Sequence, residues 1–177
     1  MKNNFIYQVI TDPSEITYDM YRSFIKLSFR EKGTMIDSLN MILEDAKINS
    51  FYYRKRAVKF GYYKNKRRLV VIVLVKERET KQIVGWTLLF EKLNLKGDVY
   101  KSRIISGNVY VKASFRRIGL GTNLIKKSLT SCKDKKKVVR FFSHDKQSRS
   151  FLCRNVLPKS NFNIEYGDFV SYDFTKS

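Results

Sequence analysis

The chain has 177 residues and a net charge of +20, with 43% hydrophobic residues that include 13 Phe and 11 Tyr. That is one domain's length with enough apolar side chains for a core, which excludes a disordered chain despite the charge. The longest apolar run, Leu69 to Val75, is too short to span a bilayer. The first residues lack the apolar stretch of a signal peptide, so a cytoplasmic protein is the expectation.

Phe5 to Ile10 reads as a first strand, closed by the Asp12-Pro13 turn. Ser14 is placed to cap a helix in which Ile16, Met20, Phe24 and Leu27 recur at helical spacing. After Lys32-Gly33 a second helical pattern carries Leu39, Ile42 and Ala46 on one face. Through Ser50 six basic residues stand against seven acids, so the whole net charge resides beyond that point.

Between Phe51 and Arg68 lie Arg54, Lys55, Arg56, Lys59, Lys64, Lys66, Arg67 and Arg68 with no acid, interleaved with Phe51, Tyr52, Tyr53, Phe60, Tyr62 and Tyr63. Bases mixed with aromatics suit nucleic acid, because one set neutralises phosphate and the other stacks on bases. A solvated connection whose aromatics anchor it to the core is the alternative. With Lys135, Lys136 and Lys137 these positions form the expected polyanion-binding surface.

Leu69 to Val75 is β-branched and reads as a buried strand, and Gln82 to Phe90 returns as its hairpin partner. Arg103 to Val111 is a third strand of this group, followed by a helix from Gly119 to Cys132 with Leu120, Leu124, Ile125 and Leu129 inward. Val138 to Phe142 is a strand, Gln147 to Val156 a short helix ended before Pro158, and Phe162 to Phe174 a last hairpin around Gly167-Asp168. The fold class is therefore α/β (of the α+β kind): one domain over residues 1–177, with a mixed, mostly antiparallel sheet flanked by helices. The element order is β, α, α, β, β, β, α, β, α, β, β.

Chemistry concentrates where a strand runs through Arg116-Arg117-Ile118-Gly119-Leu120-Gly121-Thr122 into a helix. A helix N-terminus offers unpaired N–H groups and partial positive charge, so it holds phosphate; glycines let the backbone approach the anion. The pattern is neither a Walker A loop nor a full Gly-x-Gly-x-x-Gly fingerprint, which disfavours nucleotide hydrolysis and dinucleotide binding. Cys132, Cys153 and the lone His144 are too few and too scattered for a disulfide framework or a metal site.

The stretch from Val109 to Thr122, with Arg116, Gly119 and Gly121 at the Arg-x-x-Gly-x-Gly positions, resembles the core motif of the GNAT family of acetyl-CoA-dependent N-acyltransferases. Ile83-Val84-Gly85-Trp86 is similar to that family's third strand. The resemblance implies that Arg116, Arg117, Ile118, Gly119, Leu120, Gly121 and Thr122 hold the pyrophosphate of acetyl-CoA. It implies that Val109 and Val111, with Tyr110 between, bind the pantetheine arm in a gap between the strands at Val109 and Val138. It also implies direct attack of an amine on the thioester, with no metal. The tyrosine that many members use as general acid has no counterpart between Gln147 and Val156, which leaves Ser150 or Cys153; Glu91 is the nearest candidate base. An acceptor that is acidic or associated with nucleic acid suits the charge. A GNAT fold that has lost catalysis and serves as a basic nucleic-acid-binding or interaction module is the other reading.

Overall fold

The computed structural model of the chain describes residues 4–28, 39, 67–92, 104–132, 138–142, 162–164 and 169–174. Within them the elements are β1 (Phe5–Ile10), α1 (Tyr18–Ser28), β2 (Arg67–Glu77), β3 (Ile83–Lys92), β4 (Ile104–Val111), α2 (Leu120–Ser131), β5 (Val138–Phe142), β6 (Phe162–Ile164) and β7 (Phe169–Asp173). The second helical pattern falls outside the described residues except for Leu39, which is buried. The helix expected over Gln147–Val156 lies outside them as well.

Seven strands form one sheet in the order β1-β2-β3-β4-β5-β7-β6. All neighbours are antiparallel except β4 and β5, which are parallel. A parallel pair needs a crossover, and α2 supplies it. The strand expectations hold: β1 and β5 have the expected limits, and β2 with β3 and β6 with β7 form hairpins.

The alternation of side chains sorts the core onto the two faces of the sheet. On one face Leu120, Leu124, Ile125 and Leu129 of α2 pack on Val71, Val73, Val75, Leu89, Ile105, Val139 and Phe141. On the other, Tyr21 and Phe24 of α1 pack with Leu39 on Ile72, Leu74, Trp86, Leu88 and Phe90. Phe24 stacks on the Trp86 ring with centroids 4.4 Å apart. These all-apolar faces are the reason β2 and β3 read as continuous hydrophobic runs.

Two details differ from the sequence expectation. Ser14 does not cap α1: it lies in a 3-10 turn, Pro13–Glu15, capped by Asp12, whose carboxylate accepts from the Ser14 amide at 2.8 Å. Those hydrogen bonds hold the Asp12 carboxyl below its usual pKa. The helix starts later, where Thr17 Oγ1 accepts from Met20 N at 3.3 Å. The second difference is a pair of register shifts, between Leu69 and Val71 and between Val75 and Lys76, which leave Val70 and Val84 as extra residues.

Candidate acyl-carrier site

The bulge at Val84 anchors the exit from β4, because its carbonyl accepts from Lys112 N at 2.8 Å. That bond also fixes which way the backbone of β4 faces. Val111 lies opposite Gly85, and a bond from the residue after Val111 to the residue before Gly85 marks a pair that exchanges no bonds of its own. The register runs unbroken from Gly85–Val111 to Phe90–Ser106. Gly107, Val109 and Val111 therefore turn their N–H and C=O groups away from β3, toward β5.

Only Gly107 of these three meets β5. The parallel ladder pairs Ile104 with Val138, Ile105 with Val139, Ser106 with Arg140 and Gly107 with Phe141, and stops there. Beyond it no described residue pairs with β4 on that side, so among the described residues Val109 and Val111 face a gap. The gap among the described residues lies between the two strands expected, at the Val109 end of their pairing, with Val138 the first paired residue of β5 at the opposite end. Parallel strands keep one direction, so the opening must lie past Phe141. The Val111 carbonyl is taken by Arg116 Nε at 2.8 Å. The N–H groups of Val109 and Val111 and the Val109 carbonyl have no backbone partner among the described residues, and such strand-edge groups can pair with an extended chain.

Past Val111 a 3-10 turn, Ala113–Phe115, seats Phe115 edge-on against Phe5 at 6.1 Å. Arg117 and Gly119 then adopt left-handed φ values of 66° and 86° around Ile118. Alternating hand turns successive N–H groups to one side and makes an anion-binding concavity. Gly119 caps α2 with no side-chain hydrogen bond, and the first helical bond runs from Asn123 N to the Gly119 carbonyl at 3.1 Å. The amides of Arg117 through Thr122 donate to no backbone carbonyl among the described residues. A Cβ built on Gly119 meets nothing within 4 Å, so the space above it is open. Lys112, Arg116 and Arg117 are exposed around it, and no acid occurs between Asp98 and Asp134. Bare N–H groups, a helix dipole and exposed cations fit a diphosphate.

The structure thus brings Val109, Val111, Arg116, Arg117, Ile118, Gly119, Leu120, Gly121 and Thr122 together along one path. Tyr110, between the two valines, turns the other way: its ring packs against the α1-side cluster and lies 6.0 Å beneath the Arg116 guanidinium. Ile118 is 55% exposed at the tip of the loop. The commitment of Arg116 Nε to Val111 gives this arginine a positioning contribution that spacing alone did not show.

Glu91 stands elsewhere. It lies one residue past the Phe90–Ser106 pair, on the closed side of the ladder, and is only 3% exposed. Its Oε2 accepts from Arg68 Nε at 3.0 Å and forms an ion pair with the same guanidinium. Glu91 is thus neither a surface acid nor beside the gap, a position that sequence could not reveal because its partner is 23 residues away. Arg68→Met should remove the guanidinium that pairs with a buried carboxylate. Because the Arg68 side chain is 56% exposed, the expected loss is about 1–3 kcal/mol, less than for a fully buried pair. Urea unfolding checks this; the pairing is refuted if Arg68→Met with Glu91→Leu is no more stable than Arg68→Met alone.

Ser150, Cys153 and His144 lie outside the described residues, as do Arg54, Lys55, Arg56, Lys64, Lys66, Lys135, Lys136 and Lys137. Of that basic set, Arg67 and Arg68 begin β2, and Arg68 is engaged by Glu91. Among the described residues there is no group of side chains able to hold a metal ion, and no helix long and apolar enough to cross a membrane.

The fold has many solved counterparts. A GNAT family acetyltransferase from Brucella melitensis in complex with acetyl-CoA superposes with a TM-score of 0.53 at 12% identity, over 96% of this chain and 88% of that one. The protein yncA of Salmonella typhimurium, with its cofactor acetyl-CoA, gives 0.52 at 12% identity over 97% and 95%. A GNAT family acetyltransferase of Streptococcus pneumoniae gives 0.51 at 13% identity over 94% and 96%. Such identities establish shared fold alone. No curated protein matches the sequence. The acetyltransferase (GNAT) family model, however, matches residues 36–154, about two thirds of the chain and the whole of the gap and loop. The chain belongs to the GNAT family of acetyltransferases.

Proposed function

We propose that the chain is an N-acetyltransferase that takes its acetyl group from acetyl-CoA and delivers it to an amine on an anionic acceptor. The observation that carries this reading is two sets of backbone donors with no backbone partner among the described residues, those of Val109 and Val111 on the β5 side of β4 and those of residues 117–122 at the start of α2. Pantetheine is an extended amide chain and so can complete the missing ladder of β4. The diphosphate then reaches the loop, where bare N–H groups and three cations meet it. The acetyl-CoA complexes of the Brucella and Salmonella proteins of the same fold support the same ligand.

In the reaction, the lone pair of a neutral amine attacks the thioester carbonyl carbon. The C–N bond forms, the C–S bond breaks, and CoA leaves as a thiolate that takes up a proton, while the amine nitrogen gives one to solvent. Val109 N–H, the first donor beyond the end of the ladder with no backbone partner among the described residues, is our candidate for polarising the thioester carbonyl as charge develops. Ser150 and Cys153 are the candidates for protonating the thiolate. Glu91, engaged by Arg68, is not used. A net charge of +20 repels cationic acceptors such as polyamines and draws anionic ones.

Isothermal titration of the full chain with acetyl-CoA tests the reading. One-site binding is the expected result; no heat at high protein concentration sinks it.

A further inference from the structure

The acceptor side of the gap has a distinct chemistry. The cross-strand register places Phe90, Ser106, Arg140 and Ser171 in one row across β3, β4, β5 and β7. Their sequence neighbours Ile105, Val139, Phe141 and Tyr172 all enter the cluster beneath α2, so the row itself lies on the opposite face, the one that carries α1. At Phe90 that face is apolar core. One strand further it becomes Ser106, then a half-buried Arg140, then a buried Ser171. A fold does not seal a guanidinium and two hydroxyls under apolar packing without cost, so a polar floor replaces core here.

This floor adjoins the end of the β4–β5 ladder. Arg140 precedes Phe141, the last paired residue of β5, by one position, a rise of about 3.3 Å. On the α2 side the same point is closed: a Cβ on Gly107 would stand 2.7 Å from the Phe141 ring and 2.9 Å from Leu89. Among the described residues, the face that carries Arg140 is therefore the one left for an amine to approach a thioester in the gap. On that face, Asp173 on β7 is diagonal to Arg140, one row further from the gap, while Asn108 and Tyr110 follow on β4. A guanidinium has five donors in a planar fork, so it can serve protein on one side and a ligand on the other.

We propose that Arg140, flanked by Ser106 and Ser171, is the acceptor-recognition residue and binds a carboxylate, so that the acceptor is a small amine-bearing carboxylic acid of the amino-acid type. The inference rests on acetyl-CoA occupying the gap. A single bidentate fork suits one carboxylate, and its closeness to the gap suits a molecule whose amine and carboxylate are a few bonds apart.

The test uses the full chain saturated with acetyl-CoA, binding having first been established by titration. Thiol release is followed with a mixture of free amino acids and with the same mixture as carboxamides. The amide amines are less basic and so more available as nucleophiles, so a preference for the acids cannot come from intrinsic reactivity. We expect the acids to win by about tenfold or more in kcat/KM. Arg140→Met should abolish that preference through KM, with acetyl-CoA affinity and amide rates unmoved, and Arg140→Lys should restore part of it. Equal rates with the two mixtures, turnover of neither while acetyl-CoA binds, or an unchanged preference in Arg140→Met would each overturn the inference. Failure of acetyl-CoA to bind would instead defeat the reading beneath it.

Discussion

Gly119→Glu should bring acetyl-CoA affinity down by at least a hundredfold while the chain stays folded. Gly119 sits at φ 86°, where a side chain costs about 1–2 kcal/mol, and for a chain of this size that is a melting-temperature drop of only a few degrees. Nothing within 4 Å opposes the new Cβ, so the protein itself meets no clash. The damage falls on the ligand. A carboxylate would occupy the open space over the start of α2 and repel the diphosphate among N–H groups meant for it. Gly119→Asn separates strain from charge, because asparagine tolerates the left-handed region; it should melt near the wild type and bind better than Gly119→Glu. Calorimetry and thermal melts measure both quantities. Full affinity in Gly119→Glu would remove the loop from the binding site.

Gly107 carries the second large effect, on stability. A Cβ there lies 2.7 and 2.8 Å from two carbons of the Phe141 ring and 2.9 Å from Leu89 Cδ2. Phe141 is fully buried and cannot swing out. Gly107→Ala should cost about 1–3 kcal/mol and Gly107→Val more, in the range of overpacked cores. If the ring is the obstacle, Phe141→Leu introduced with Gly107→Ala should recover part of the loss, a coupling readable in a double-mutant cycle of urea unfolding. Strict additivity would show that the ring is not what the glycine accommodates.

Most of the described sheet was legible in the sequence, because β-branched and aromatic runs broken by turn residues mark strands directly. Val138–Phe142 and Phe5–Ile10 have the limits that reading gave. The turn from β4 into α2 was legible through its glycines and arginines. What escaped depended on neighbours distant in the chain. Thr17 rather than Ser14 caps α1 because the Asp12-Pro13 segment closes its own 3-10 turn first. The burial of Glu91 depends on Arg68 from another strand. The position of the gap depended on register: nothing local distinguishes Gly107, which pairs with β5, from Val109, which does not. Arg140 in an otherwise apolar strand was visible as a letter, but its row became visible only once four strands were aligned.

The ladder between β4 and β5 has a mechanical consequence. Among the described residues, four strand pairs join the β5–β7–β6 part of the sheet to the β1–β4 part, and all four lie at one end of the gap. Phe141 is wedged under Gly107 at the end of this joint. The spacing of β4 and β5 where the gap begins is therefore held by packing on the α2 face of the sheet.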